Sequence, residues 1–325
     1  MINLETKYLG LTLRNPLIIS SSGLTDSVEK IKLAAEYGAG AVVLKSIFEE
    51  QINYQAGVLA ENSDYPEASD YISSYTRSHS LDNYLKFIRE AKEAVDIPVI
   101  PSINCMSADD WIDYAKKIES SGADALEVNM FFLPVDKTLA PQKAEKVYFE
   151  LVEKLRATIR IPFAIKLGQR FSNLFYLINQ IYNRGADGVV LFNRYFEPDI
   201  DIHSMNVIPA AVFSSPEEKR NVLRWIAMAS SLNYRISLSA STGVHNGEDL
   251  IKYLLAGADT VQICSVLYKN GHEYIKNVLD EMVSWMKAKD FNSIDEFRAK
   301  LNYKNFADAG KYERSQFMKY FSAYE

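Results

Sequence analysis

At 325 residues the chain can form two ordinary domains or one large α/β domain, and a hydrophobic fraction of 48% gives it a sizeable core. A net charge of −6, with lysines and arginines scattered rather than in blocks, argues against nucleic acid as a partner. Two cysteines, Cys105 and Cys264, stand far apart without a CxxC partner, which excludes a disulfide framework and a thiolate zinc site and fits a reducing compartment.

Along the chain, MINLETKYLG lacks the apolar core of a signal peptide, and no later apolar run approaches the roughly 18 residues of a membrane span. A soluble, cytoplasmic protein without a membrane partner is expected. LIISSSG (17–23) is a first strand, near 17–21. Four stretches then repeat one pattern: YGAGAVVL (37–44), SGADALEV (121–128), RGADGVVL (184–191) and AGADTVQI (256–263). Each follows an amphipathic helical pattern. Its glycine suits a left-handed helix C-cap, and its apolar run suits a strand buried on both faces. IPVIPSIN (97–104), IPFAIKL (161–167) and ISLSAST (236–242) alternate with them. The result is eight strands, near 17–21, 40–46, 98–104, 125–131, 162–167, 188–193, 236–242 and 260–265. Helices are clearest at 27–37, 107–120, 141–158, 173–184, 217–231 and 247–256.

Eight β/α units predict an α/β fold of the TIM (β/α)8 barrel type. An open doubly wound sheet is the competitor, but SSGLTDS after the first strand is not the glycine-rich phosphate turn that such sheets carry. With no Pro/Gly/Ser-rich linker, residues 1–325 read as a single barrel domain. A long insertion at 48–81 follows strand two, and an aromatic helical tail at 303–325 packs on the barrel or on a second subunit.

Chemistry in a barrel sits at the C-terminal strand ends. Those ends carry Ser21, Ser22 and Gly23; Lys45 and Ser46; Ser102 and Asn104; Asn129; Lys166; Asn193; Thr242 and Gly243; and Cys264 and Ser265. A lysine at the end of an apolar strand is expensive to bury unless paired, for instance with Glu127. Two lysines, three asparagines and several hydroxyls at one mouth suit a polar, partly anionic ring. Small residues after strands seven and eight suit a phosphate held by backbone N–H groups.

With these residues assembled, the chain resembles the class 1 dihydroorotate dehydrogenases, flavin enzymes on a TIM barrel. RNPLIISSSG, GAGAVVLKS, PFAIKL and STGVHNGEDLIKYLLAGADTVQICSVLY are similar to family segments in order and spacing. The resemblance implies bound FMN, with Ser21, Ser22, Gly23, Lys45 and Ser46 against the isoalloxazine. It places Ser102, Asn129 and Lys166 on the ring or ribityl chain, and Asn193 between flavin and substrate. Thr242, Gly243, Cys264 and Ser265 fall at the phosphate. Lys45, Asn129, Asn193 and Arg194 are the expected substrate contacts, for a small cyclic substrate of pyrimidine metabolism. A homodimer is also implied.

The chain departs from the family at EVNMFFLP (127–134), where the family reads ELNLSCPN. Asn129 is kept, but the catalytic base falls on Phe132 and the substrate asparagine on Pro134. Near ISSYTRS (72–78) the family's substrate asparagines are missing, and Arg194 replaces a serine. Phe132 cannot transfer a proton, so the catalytic residue is unassigned; replacements on loops are His79, Tyr75, Ser78, Thr138 and His203. Four readings stand: an FMN oxidoreductase acting on a CH–CH bond of dihydroorotate or a related cyclic substrate, a non-catalytic FMN barrel, a Schiff-base lyase using Lys45 or Lys166, and dihydroorotate oxidation with a relocated base.

Overall fold

The four repeat glycines set the helix-to-strand turns. In a computed structural model of the chain, Gly38, Gly122, Gly185 and Gly257 all have left-handed φ, between +86° and +109°, just beyond helix ends. The Gly257 N–H donates to the carbonyls of Tyr253 and Leu254, closing the helix before its chain turns into a strand. Residues 2–48, 69–104, 108–130, 132–232 and 235–314 are described, without the side chains of 69–75, 77 and 108–110. Cys105, Phe131 and the tail from 315 lie outside them.

The aspartate two residues after three of these glycines ties neighbouring strands together at the bottom of the barrel. Asp124 accepts from the Val99 N–H (2.9 Å), Asp187 from Phe163 (3.0 Å) and Asp259 from Leu238 (2.8 Å). Each also meets a cation, Lys92, Arg156 or Arg298. In the first repeat the position is Gly40, because a Cβ there would lie 2.2 Å from the Asn15 carbonyl. Asn15 supplies the tie instead, accepting from the Leu17 N–H and donating to the Gly38 carbonyl.

An N-terminal hairpin, β1 (Thr6–Tyr8) and β2 (Leu11–Leu13), precedes the barrel. The barrel strands are β3 (Leu17–Ile19), β4 with β5 (Ala41–Val43, Ile47–Phe48), β6 with β7 (Val99–Ile100, Ser102–Asn104), β8 (Leu126–Asn129), β9 (Phe163–Leu167) and β10 (Gly188–Leu191). A second hairpin follows, β11 (Pro198–Asp201) and β12 (Asn206–Pro209), before β13 (Ser237–Ser241) and β14 (Thr260–Ile263). Every barrel pairing is parallel. β14 pairs β3, so strand eight meets strand one and the sheet closes. Pro101, without an N–H, divides strand three into β6 and β7, which pair separately with β4 and β5 of strand two. The fold is the expected (β/α)8 barrel.

Six helices match their expected spans: α1 (Val28–Glu36), α3 (Ala108–Ser120), α4 (Pro141–Thr158), α5 (Leu174–Asn183), α6 (Lys219–Ala229) and α7 (Gly247–Ala256). Helix α2 (Ser69–Ala94) takes in residues 69–81 of the expected insertion, while 49–68 lie outside the described residues. After β14 come α8 (Ser265–Asn270) and α9 (Tyr274–Ala288).

Aliphatic side chains fill the layer between strands and helices. A smaller cluster fills the barrel itself, with Tyr8, Leu9 and Leu13 of the first hairpin packed under Ile18, Val43, Ile100 and Val190. The Leu9 N–H donates to Ser237 Oγ (3.0 Å), fixing the plug at the barrel base. Polar chemistry is thereby left to the opposite end.

Candidate active site

The C-terminal strand ends open into two adjoining cavities of about 610 and 680 Å³ that share Ser21, Lys166, Asn193 and Arg194. The first runs from that centre toward Thr242, Gly243, Cys264 and Ser265. The second runs toward Ser22, Lys45, Ser46, Asn129 and Phe132. All the sequence-predicted site residues line one or both, except Gly23 and Ser102.

Gly23 packs under a cavity wall rather than against the space itself; a Cβ there would lie 2.7 Å from Tyr268 Oη. Ser102 is fully buried behind Ser46, the Oγ atoms 2.7 Å apart, and its N–H donates to Tyr84 Oη (2.9 Å). Ser46 Oγ continues to Ser21 Oγ at 3.0 Å, so three hydroxyls from strands one, two and three form one chain. Only Ser21 and Ser46 reach the cavity.

Lys166 stands at the centre of the mouth, 5% exposed. Its Nζ lies 3.3 Å from Glu127 Oε1, and it donates to Gln262 Oε1 (3.1 Å) and Ser20 Oγ (3.2 Å). Gln262 Nε2 donates to Glu127 Oε2 (2.6 Å), closing the network. The internal ion pair and the cationic site are therefore one arrangement: Glu127 holds the ammonium from below while Lys166 lines the cavities above. Sequence reading missed Ser20 and Gln262. The available signal was Gln262, an amide between Val261 and Ile263 in a strand of apolar type.

Lys45 differs from Lys166. It is exposed, and its ammonium pairs with no carboxylate among the described residues. A Schiff-base amine must be neutral in a desolvated pocket; Lys166 is ion-paired and Lys45 is solvated, so neither has that environment.

Asn193 Nδ2 donates to Asn129 Oδ1 (2.8 Å), bridging strands four and six across the mouth. Arg194 lines both cavities, yet its guanidinium is engaged by Glu218 (3.0 Å), Glu197 (3.1 Å) and the Val212 carbonyl (2.9 Å). It anchors the segment 195–214, whose Tyr195, Phe196, Pro209 and Phe213 wall the first cavity. This wall too was unforeseen from sequence.

Thr242 and Gly243 both have left-handed φ, +84° and +74°. A Cβ on Gly243 would sit 2.4 Å from the Lys219 nitrogen, so glycine is required where α6 begins. The backbone N–H groups of Gly243, Val244, Cys264 and Ser265 donate to no acceptor among the described residues. Burial pushes the Cys264 thiol above its ordinary value, against a lowering hydrogen bond with Ser22, so it is protonated at neutral pH. His245, near Ser214 Oγ (3.2 Å), is pushed down by burial and by Lys269, and is neutral there.

Phe132 is half-buried and lines the second cavity with Phe48, Trp111, Met130 and Val147, whereas Pro134 is exposed and lines neither. Of the replacement bases, Ser78 and His79 are exposed on α2, and His203 is exposed after β11. Thr138 is exposed with its hydroxyl on Asp136. None of these four lines a cavity, and the side chain of Tyr75 lies outside the described residues.

The buried Lys166 thus stands at the end of a closed (β/α)8 barrel where barrel enzymes keep their chemistry. The family model for dihydroorotate dehydrogenase matches residues 3–286. The chain belongs to the dihydroorotate dehydrogenase family, oxidoreductases acting on CH–CH donors. Similar proteins include the catalytic subunit of dihydroorotate dehydrogenase B (NAD(+)) of Thermoplasma acidophilum, 29% identical over 91% of this chain and 98% of that one. Its counterpart in Methanocaldococcus jannaschii is 26% identical over 88% and 94%. The chloroplastic dihydropyrimidine dehydrogenase (NADP(+)) of Arabidopsis thaliana is 24% identical over 91% and 76%.

Proposed function

We propose that this oxidoreductase uses FMN, held across both cavities, and acts on a cyclic CH–CH substrate other than dihydroorotate itself. The observation that carries the reading is the continuous mouth around Lys166, with unengaged backbone N–H groups at one end and the Asn129–Asn193 pair at the other. Gly243, Val244, Cys264 and Ser265 suit the phosphate, the left-handed turn at Thr242-Gly243 letting backbone approach it closely. Ser21, Lys166 and Asn193 lie where the two cavities meet and suit the ring. FMN, when bound, supplies a hydride acceptor, and a cation beside its ring favours the reduced form. Lys166 provides that charge, fixed by Glu127 rather than free to move.

Phe132 brings hydrocarbon to the position that the family resemblance gives to its base, and no carboxylate or imidazole lines the second cavity among the described residues. Dehydrogenation of dihydroorotate removes a carbon-bound proton within hydrogen-bond reach of a base, and the described residues of this wall include no carboxylate, imidazole or thiol. Lys45, Asn129 and Asn193 remain to bind and orient a substrate.

The protein is proposed to work in the cytoplasm as a homodimer. No described helix is long and apolar enough to cross a membrane. Hairpin β11–β12 carries Ile200 (66% exposed), Ile202 (76%), Met205 (86%) and Val207 (69%), an apolar surface of the kind that marks a subunit contact. The test is the visible spectrum of the purified protein after incubation with FMN. Bound flavin bands are expected; a colourless protein that cannot be loaded overturns the reading.

A further inference from the structure

We propose that the cavity beside Phe132 binds an amphipathic monoanion, its carboxylate at Lys45 and a flat apolar body against Phe132 and Trp111. This names the substrate class of the same mouth, and rests on reading that mouth as a flavin site.

Among the described residues, the charged groups lining this cavity are all cations: Lys45, Lys166 and Arg194. Two of them are already ion-paired, Lys166 with Glu127 and Arg194 with Glu197 and Glu218. Lys45 is uncompensated among the described residues and projects from the rim. One anionic group is therefore matched, not two.

The rest of the wall separates into a polar floor and an apolar side. Ser21, Ser22, Ser46, Asn104, Asn129 and Asn193 supply the polar part, with the Asn129 and Asn193 amides already bonded to each other and Ser21 to Ser46. Phe48, Met130, Phe132 and Val147 form an apolar side that cannot meet a ring carbonyl or a ring N–H, and Trp111 beside them brings a broad ring with a single indole N–H donor. A pyrimidinedione carries such groups around most of its edge, and each one buried without a partner is a penalty. A ring with a hydrocarbon edge meets no penalty and gains contact with Phe132 and Trp111.

The experiment is calorimetric titration of the FMN-loaded protein with trans-cinnamate, its neutral counterpart cinnamyl alcohol, and orotate. Cinnamate is expected to bind at least ten-fold more tightly than either of the others. Lys45→Gln should remove the preference for cinnamate over the alcohol. Phe132→Asn should weaken cinnamate and strengthen orotate, which keeps the test open if the Lys45 variant does not fold. Orotate binding as tightly as cinnamate, no saturation by cinnamate, or a Lys45→Gln protein with its carboxylate preference intact would each overturn the proposal. Flavin uptake is read separately from its spectrum: a protein that takes up no FMN sinks the flavin reading and this proposal with it, whereas FMN uptake with a preference for orotate sinks the proposal alone.

Discussion

Replacing Lys166 by methionine should destabilise the barrel through the charge it leaves behind. Glu127 is 1% exposed and Gln262 1% exposed, so water cannot take over from the missing ammonium. Of the contacts around Glu127, the Lys166 ion pair at 3.3 Å disappears and only the Gln262 amide at 2.6 Å remains. Breaking one partner of a buried pair costs about 3–5 kcal/mol, a shift of two to nearly four decades in the unfolding equilibrium, since ~1.4 kcal/mol is tenfold. Equilibrium urea unfolding of the flavin-free protein at pH 7 measures this. The double variant Lys166→Met, Glu127→Gln should lose less than Lys166→Met alone, because it buries no net charge, with a coupling of about 2 kcal/mol between the sites. A loss below about 1 kcal/mol for Lys166→Met, or a double variant no better than the single one, would refute the role given to Glu127.

Gly243→Ala places a Cβ 2.4 Å from the Lys219 nitrogen on a backbone at φ +74°; it should cost about 1–3 kcal/mol and weaken FMN at least ten-fold, read by unfolding and by flavin fluorescence titration. Tyr8, Tyr84 and Tyr253 have phenols pushed up, first by burial and then by nearby carboxylates such as Glu127 and Asp249. Groups raised when folded lend stability that is complete below their unfolded value of about 10 and lost as pH climbs through the folded values. A spectrophotometric titration should therefore leave some of the twenty tyrosines unionised until circular dichroism collapses; full ionisation before that collapse would contradict it. Ile200→Asp, on the exposed face of β11, should convert a dimer to a monomer in analytical ultracentrifugation with its spectrum unchanged; a monomeric unsubstituted protein would rule the interface out.

The barrel was legible because its signals are local. Glycine at four helix ends and a run of Val, Ile or Leu after it recur in sequence, and both follow from backbone geometry. The N-terminal plug was not legible, since Tyr8 and Leu9 are buried only by strands far away in the chain. Hairpin β11–β12 lacks a polar-in-core pattern because its apolar face meets solvent in this chain. At the site, the strand ends brought out Lys166 and Asn129, and both line the cavities. The roles of Gln262 and Ser20 depend on distances across the barrel, and Ser102 looked accessible because sequence does not show Ser46 standing in front of it. Arg194 read as a substrate contact; Glu197 and Glu218 engage it, three residues and a whole loop away.

The proposed flavin site lies beside a cavity lined by Phe132, at the position to which the family resemblance gives a proton acceptor. Mixing the FMN-loaded protein with dihydroorotate under anaerobic conditions, and following the flavin's visible bands, tests both halves at once. Bands that are present and persist with dihydroorotate are the expected result. Rapid bleaching by dihydroorotate would mean that a base reaches this substrate after all, and would contradict the central claim.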